Sequence, residues 1–133
     1  MVKLFNEERI KSKKEIDLIF SKGQILFSSD KRIKAICLVN KTTKKNDVRT
    51  VFAVSKRSGN AVWRNRIKRL MRVAYYNNAN LLRLHAQQTN KSLDFVISTF
   101  GLNKIKYPKP TLSTVMISMN DLCKKLVLVL NNE

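Results

Sequence analysis

A chain of 133 residues with 44% hydrophobic residues has the length and apolar content for one domain around one core. Its 27 Lys and Arg against 9 Asp and Glu leave a net charge of +18, a self-repulsion that opposes compaction and points to a polyanionic partner. Two cysteines and one histidine are too few for a zinc site or a disulfide framework, and the longest continuous apolar run, "LVLVL" at 126–130, is too short to span a membrane.

In chain order, Ile10, Ile16, Ile19 and Phe20 fall near helical spacing, with Ser12 placed to cap and Glu15 three residues on as in a capping box. A short helix is predicted over 13–21, stopped by Gly23, after a flexible segment 1–8. The stretch 25–30 reads equally as a strand start or an irregular approach. "IKAICLVN" at 33–40 is β-branched and almost continuously apolar, the pattern of a strand covered on both faces. A polar turn "KTTKKND" leads to "RTVFAVS" at 49–55, a second strand with Val51, Ala53 and Ser55 on one side and Phe52 and Val54 on the other. The short connection predicts an antiparallel hairpin between the two.

Beyond Gly59 the period changes from two to 3.6. Trp63, Ile67, Leu70, Met71 and Ala74 form a core-facing stripe, and Arg64, Lys68 and Arg72 a second stripe beside it, widened by Asn65 and Arg69. The helix is predicted to reach about Tyr76, where "NNAN" weakens it, and "LLRLHAQQ" either continues it or makes a separate turn. Trp63 reads as core, its indole N–H needing a partner, while Tyr75 and Tyr76 end the helix and His85 reads as a surface or satisfied residue. A strand at 93–100, a basic Pro-containing loop at 101–111 and a helix at 113–130 complete an α+β order of α-β-β(-β)-α-β-α, one domain with a small, mainly antiparallel sheet and helices packed on it. Cys37 and Cys123 are expected as buried thiols in a reducing cytosol, and no secretory signal pattern opens the chain, so a cytoplasmic protein is expected.

The charge is concentrated. Residues 1–72 hold 20 basic and 6 acidic side chains, net +14, against 7 and 3, net +4, in residues 73–133. From Ser55 to Arg72 there are seven basic side chains and no carboxylate. A solvated helix face ordinarily mixes signs, because opposite charges at i, i+4 help the helix and like charges there cost a few tenths of a kcal/mol. A phosphate backbone reverses that cost: Arg offers a planar fork of donors and Lys a mobile charge, while Gly59 lets backbone approach closely and Asn60 caps a helix whose first amides can face an anion. The pattern therefore predicts nucleic-acid binding.

The same stretch, "AVSKRSGNAVWRNRIKRLMR", closely resembles the signature of the bacterial ribonuclease P protein component: Gly59, Asn60, Ala61, Val62, then Arg64, Asn65, Arg66, then Lys68, Arg69 and Arg72. "RIK" at 9–11, Phe20 and Gly23 agree with the opening of that family. The resemblance implies a left-handed strand-helix-strand crossover of the kind found in a ribosomal small-subunit protein domain. It also implies a protein subunit that joins a large catalytic RNA to remove the 5′ leader of precursor tRNA, with no protein oligomer required. On this resemblance Lys56, Arg57, Gly59, Asn60, Arg64, Asn65, Arg66, Lys68, Arg69 and Arg72 would lie on the catalytic RNA. Phe20 and Ile16 would line a leader cleft floored by Val51, Ala53 and Ser55. Three departures stand out: Ile16 occupies a position that is often aromatic, the strand 33–40 has no Tyr or Phe, and the segment 102–109 is long.

The nine acids are scattered, Glu7 with Glu8 and Glu15 with Asp17 being the nearest pairs, and neither pair makes a convincing two-metal site for hydrolysis by the protein. That agrees with the family, in which Mg²⁺ and the reaction belong to the RNA. The alternatives are a small basic RNA-binding protein of ribosomal type, without an enzymatic partner, and an autonomous nuclease.

Overall fold

The computed structural model describes residues 9–10, 12–40 and 47–132. Its elements are α1 (Lys13–Lys22), β1 (Gln24–Phe27), β2 (Ile33–Asn40), β3 (Val48–Ala53), a 3-10 turn (Lys56–Ser58), α2 (Ala61–Thr89), β4 (Ser92–Thr99) and α3 (Leu112–Asn132). The order matches the α+β order expected from the sequence, and the ambiguous stretch 25–30 resolves into β1 and a turn. The expected flexible segment 1–8, the pair Glu7 and Glu8, and most of the polar turn at 41–47 lie outside the described residues.

The sheet runs β1-β2-β4-β3, with β2 antiparallel to both β1 and β4, and β3 parallel to β4. The predicted hairpin between β2 and β3 is therefore wrong. β4 lies between them and pairs with β2 along all eight residues, from Ile33 opposite Thr99 to Asn40 opposite Ser92. Inserting this apolar strand satisfies its backbone on both edges, which a local β2–β3 hairpin would leave half unpaired. The parallel β3–β4 pair then requires a crossover, and α2 supplies it.

Alternation divides the sheet into two faces. Ile33, Ala35, Cys37, Phe52, Phe95 and Ile97 point to the main core with Trp63, Ile67, Met71, Leu82, Met119, Leu122 and Leu126 of α2 and α3. On the other face α1 covers a smaller cluster of Ile10, Ile19, Ile36 and Val96. Both cysteines are buried, and burial pushes the Cys123 thiol up to about 12, beyond ordinary reactivity.

α1 begins at Ser12, whose side chain accepts from the Glu15 N–H, and ends where the Gly23 N–H donates to Ile19 O at 2.7 Å. The other half of the capping box is diverted: the Glu15 carboxylate lies 2.6 Å from Arg49 Nη2, close in charge though not aligned as a hydrogen bond. Arg49 also donates to Asp94 from Nε (3.0 Å) and Nη2 (2.8 Å), so one guanidinium ties α1 to β3 and β4. The hydrogen bonds from Arg49 to Asp94 hold its pKa well above the usual arginine value, despite desolvation.

α2 runs unbroken for 29 residues, about 43 Å at 1.5 Å per residue. Of the two readings of "LLRLHAQQ", continuation is the one found. Tyr75 does not end the helix but is buried, edge-on to Phe52 and Phe95. The weak "NNAN" stretch holds because Ala79, Leu82 and Ala86 are buried, and Asn78 donates to Asn120 across to α3. Neither α2 nor any other described helix is long and apolar enough to cross a membrane.

The β1–β2 turn is fastened to α3 by Asp30. Its carboxylate accepts from Ser28 Oγ (2.7 Å), the Arg32 N–H (3.1 Å) and Ser118 Oγ (2.5 Å), while Asp121 of α3 accepts from the Ser29 N–H (2.7 Å). Burial works to raise the Asp30 pKa, but the bonds from Ser118 and Ser28, with Arg32, outweigh it and leave it below its usual value. A depressed carboxylate adds stability above its unfolded pKa of about 3.9 and loses it as pH falls through the folded value. Asp30→Ala is therefore expected to lower unfolding free energy at pH 7 by about 1–3 kcal/mol, with the gap narrowing below about pH 4. Urea denaturation at pH 7 and pH 3 measures it, and an equal gap at both values would remove the carboxylate from the account.

Candidate nucleic-acid interface

The link from β3 into α2 is built from caps. Ser55 follows the last strand residues, and its hydroxyl accepts from the Arg57 N–H to start the 3-10 turn; Asn60 Oδ1 then accepts from the Trp63 N–H to start α2. Ser58 anchors this link, its hydroxyl 2.8 Å from that of Thr99 and its carbonyl accepting from the Lys104 N–H at 2.7 Å. Gly59 is extended (φ 170°), so its backbone needs no glycine. Space does: a Cβ there would sit 2.8 Å and 2.9 Å from the Trp63 ring and 3.1 Å from Lys104 Cβ. The close approach around Gly59 is thus to the protein's own indole.

Trp63 completes a brace. Its Nε1–H donates to Tyr107 O at 2.9 Å, the partner its burial demands, and Arg66 Nε donates to Pro110 O at 3.0 Å. Arg32 Nε in turn donates to the Tyr107 hydroxyl at 3.1 Å. The long loop at 101–111 is therefore a strut along the first turns of α2. It adds exposed Lys104, Lys106 and Lys109, which the spacing rules for helices had no means to join to the basic stripe.

Along α2 the two predicted stripes separate as expected. Trp63, Ile67, Met71 and Ala74 are buried and Leu70 packs partly against them. Arg64, Lys68 and Arg72 are half-buried beside them; Asn65, Arg66 and Arg69 are exposed, as are Lys56 and Arg57 in the turn. Among the described residues none of these cations is ion-paired, and Arg64 Nε is buried without an acceptor. Four carboxylates are engaged elsewhere: Glu15 and Asp94 by Arg49, Asp30 by Ser118, Ser28 and Arg32, Asp121 by Ser29 and Lys125. The first three turns of α2 thus carry positive potential that the fold leaves uncompensated.

On the opposite sheet face Ile16, Val51 and Ala53 all pack against the cluster of Ile10, Ile19, Ile36 and Val96, so three of the predicted cleft residues share one small core. Phe20, one turn on in α1, is 51% exposed. Ser55 is exposed and lies beyond the end of β3 at Ala53, where it caps the 3-10 turn. Among the described residues no three His, Cys, Asp or Glu side chains gather as a metal site, and His85 is half-buried on α2 with its carbonyl accepting from Thr89.

Known proteins resemble this chain in sequence and fold. The chain is 40% identical over 77 residues to the ribonuclease P protein component of Shouchella clausii, a match spanning 58% of this chain and 60% of that relative. It is 33% identical over 89 residues to that of Finegoldia magna, 67% of each chain. The match thus covers about three fifths to two thirds of these relatives. Two solved structures have the same fold: the RNase P protein from Thermotoga maritima (TM-score 0.66, 21% identity, 89% of this chain and 96% of that one) and that from Staphylococcus aureus (0.62, 23%, 90% and 94%). A family model described as ribonuclease P matches residues 4–126. Motif, topology and this match agree, and the chain belongs to the ribonuclease P protein family.

Proposed function

We propose that this chain acts in the cytoplasm as the RNA-binding subunit of a ribonuclease P ribonucleoprotein that removes the 5′ leader from precursor tRNA. The observation that carries the reading is the first half of α2, with Arg64, Asn65, Arg66, Lys68, Arg69 and Arg72 at the family's spacing. Among the described residues these cations have no carboxylate partner, while Trp63, Ile67 and Met71 lock the other side of the helix in the core. Guanidinium forks and ammonium groups held on a braced helix meet phosphates with little further ordering, so most of the electrostatic gain reaches affinity. The same surface positions RNA through its backbone without reading bases.

Leader nucleotides would lie between α1 and the sheet, over Val51 and Ala53, with Phe20 exposed for stacking. Bond cleavage is assigned to the RNA subunit. Mg²⁺ is assigned to the phosphates of the RNA, as the family resemblance implies. The protein's part is to lower repulsion between leader and catalytic RNA, raising affinity for substrate.

Reconstitution tests the assignment directly. With precursor tRNA at low Mg²⁺, cleavage is expected only when the protein and a bacterial ribonuclease P RNA are both present. Cleavage by the protein alone would make it a nuclease, and ribosome association without stimulation would make it a ribosomal-type binder. For the interface, Arg64→Ala with Lys68→Ala is expected to weaken RNA binding and reduce the slope of log K against log salt by about 2. An unchanged slope would remove both side chains from the contact.

A further inference from the structure

Beyond the cleft under α1, the same sheet face carries an aromatic and cationic platform at its open end. Cross-strand register sets Phe27 beside Lys34, Lys34 beside Ser98, and Ser98 beside Ala53, one row across four strands. Partners in register share a face, so the row begins at the cleft floor and runs roughly 14 Å, three strand spacings of about 4.8 Å, to the β1 edge. There the rings of Phe27 and Phe100 meet edge to face at 4.8 Å between centroids. Phe100 is 56% exposed, the Lys34 ammonium lies 5.9 Å from its centroid, and the Lys31 ammonium lies 4.9 Å from that of Phe27.

The backbone holds this group under strain. Lys31 has φ 62°, a left-handed conformation that a residue with a Cβ rarely adopts. It is kept there by its N–H donating to Ser28 O (2.9 Å) and by the Gly101 N–H donating to its carbonyl (2.8 Å), while the Phe100 N–H donates to Arg32 O (2.8 Å). Gly101 permits the approach, since a Cβ would stand 2.6 Å from Lys31 O. Strain of this kind persists where the surroundings over-determine it, and it clusters at binding sites. Of the nearby carboxylates, Asp30 is turned to Ser118, Ser28 and Arg32, and Asp121 to Ser29 and Lys125. An exposed ring with one ammonium beside it, packed edge-on to a second ring that carries another ammonium, suits an unpaired base with a phosphate nearby.

We propose that Phe100, backed by Phe27 and flanked by Lys31 and Lys34, is a second stacking site for single-stranded RNA, reached by a leader long enough to cross the sheet from the α1 cleft. This rests on the ribonuclease P reading for the source of the strand but not for the chemistry of the site. It also gives this chain an aromatic surface that the strand at 33–40 lacks in sequence.

The test compares wild type, Phe100→Ala, Phe100→Tyr and Lys31→Ala/Lys34→Ala in two assays. In the reconstituted ribonucleoprotein, Phe100→Ala is expected to weaken binding of precursor tRNA with a leader of about ten nucleotides roughly tenfold, and to leave a leader of about two unchanged. Phe100→Tyr is expected to restore it, and the double lysine variant to flatten salt dependence for the long leader only. In the second assay the full-length protein alone binds a labelled single-stranded oligoribonucleotide, read by anisotropy. The same ranking is expected there, with thermal melting confirming that each variant folds. Unchanged affinity of folded Phe100→Ala, or equal loss for short and long leaders, overturns the site. If wild type fails to stimulate leader cleavage, the ribonuclease P reading falls, and the oligoribonucleotide ranking decides the stacking site by itself.

Discussion

Strand β4 is the constraint around which everything else is arranged. It is hydrogen-bonded on both edges and covered on both faces, with Leu93, Phe95 and Ile97 against α2 and α3 and Val96 against α1. A strand so enclosed can accept a parallel neighbour only through a connection that leaves the sheet and returns, and that connection is α2. The helix is therefore held by the sheet it crosses, and its remaining surface is free to be polar. Its first half carries Arg64, Arg66, Lys68, Arg69 and Arg72 and no acid, and the turn before it adds Lys56 and Arg57.

Opposite charges within the protein are disposed to keep that surface uncompensated. Arg49 meets two carboxylates, and it serves the interior by joining Asp94 to Glu15 and so fixing α1 over the second face. Asp30 and Asp121 pin the β1–β2 turn to α3. Carboxylates used in this way stabilise the fold without competing for the arginines of α2. The repulsion among those arginines is tolerated because core burial of Trp63, Ile67 and Met71 outweighs a few tenths of a kcal/mol per like-charged pair.

Periodicity made the elements legible, and with them the two stripes of α2, the covered strands and the capping residues Ser12 and Asn60. Pairing was not legible, because hairpin reasoning weighs only local connections, whereas β4 meets β2 through residues as distant as Ile33 and Thr99. Helix propensity misjudged the end of α2 for a similar reason: packing of Ala79, Leu82 and Ala86 overrides weak asparagines. The loop at 101–111 gave no sign that Tyr107 and Pro110 would receive bonds from Trp63 and Arg66. Phe27 and Phe100, 73 positions apart, become neighbours only once the register is known.

The position of β4 in the sheet also sets an order of events during synthesis. β2 and β3 leave the ribosome with the edges that will flank β4 still open, and they stay open until residues 92–99 arrive. The cationic half of α2 is complete well before then. Nascent chains thus pass through an interval in which two unpaired strand edges and a strongly basic helix coexist, a state exposed to wrong pairing and to premature capture by any nearby polyanion. Closing that interval depends on how quickly one late strand finds its slot between two early ones.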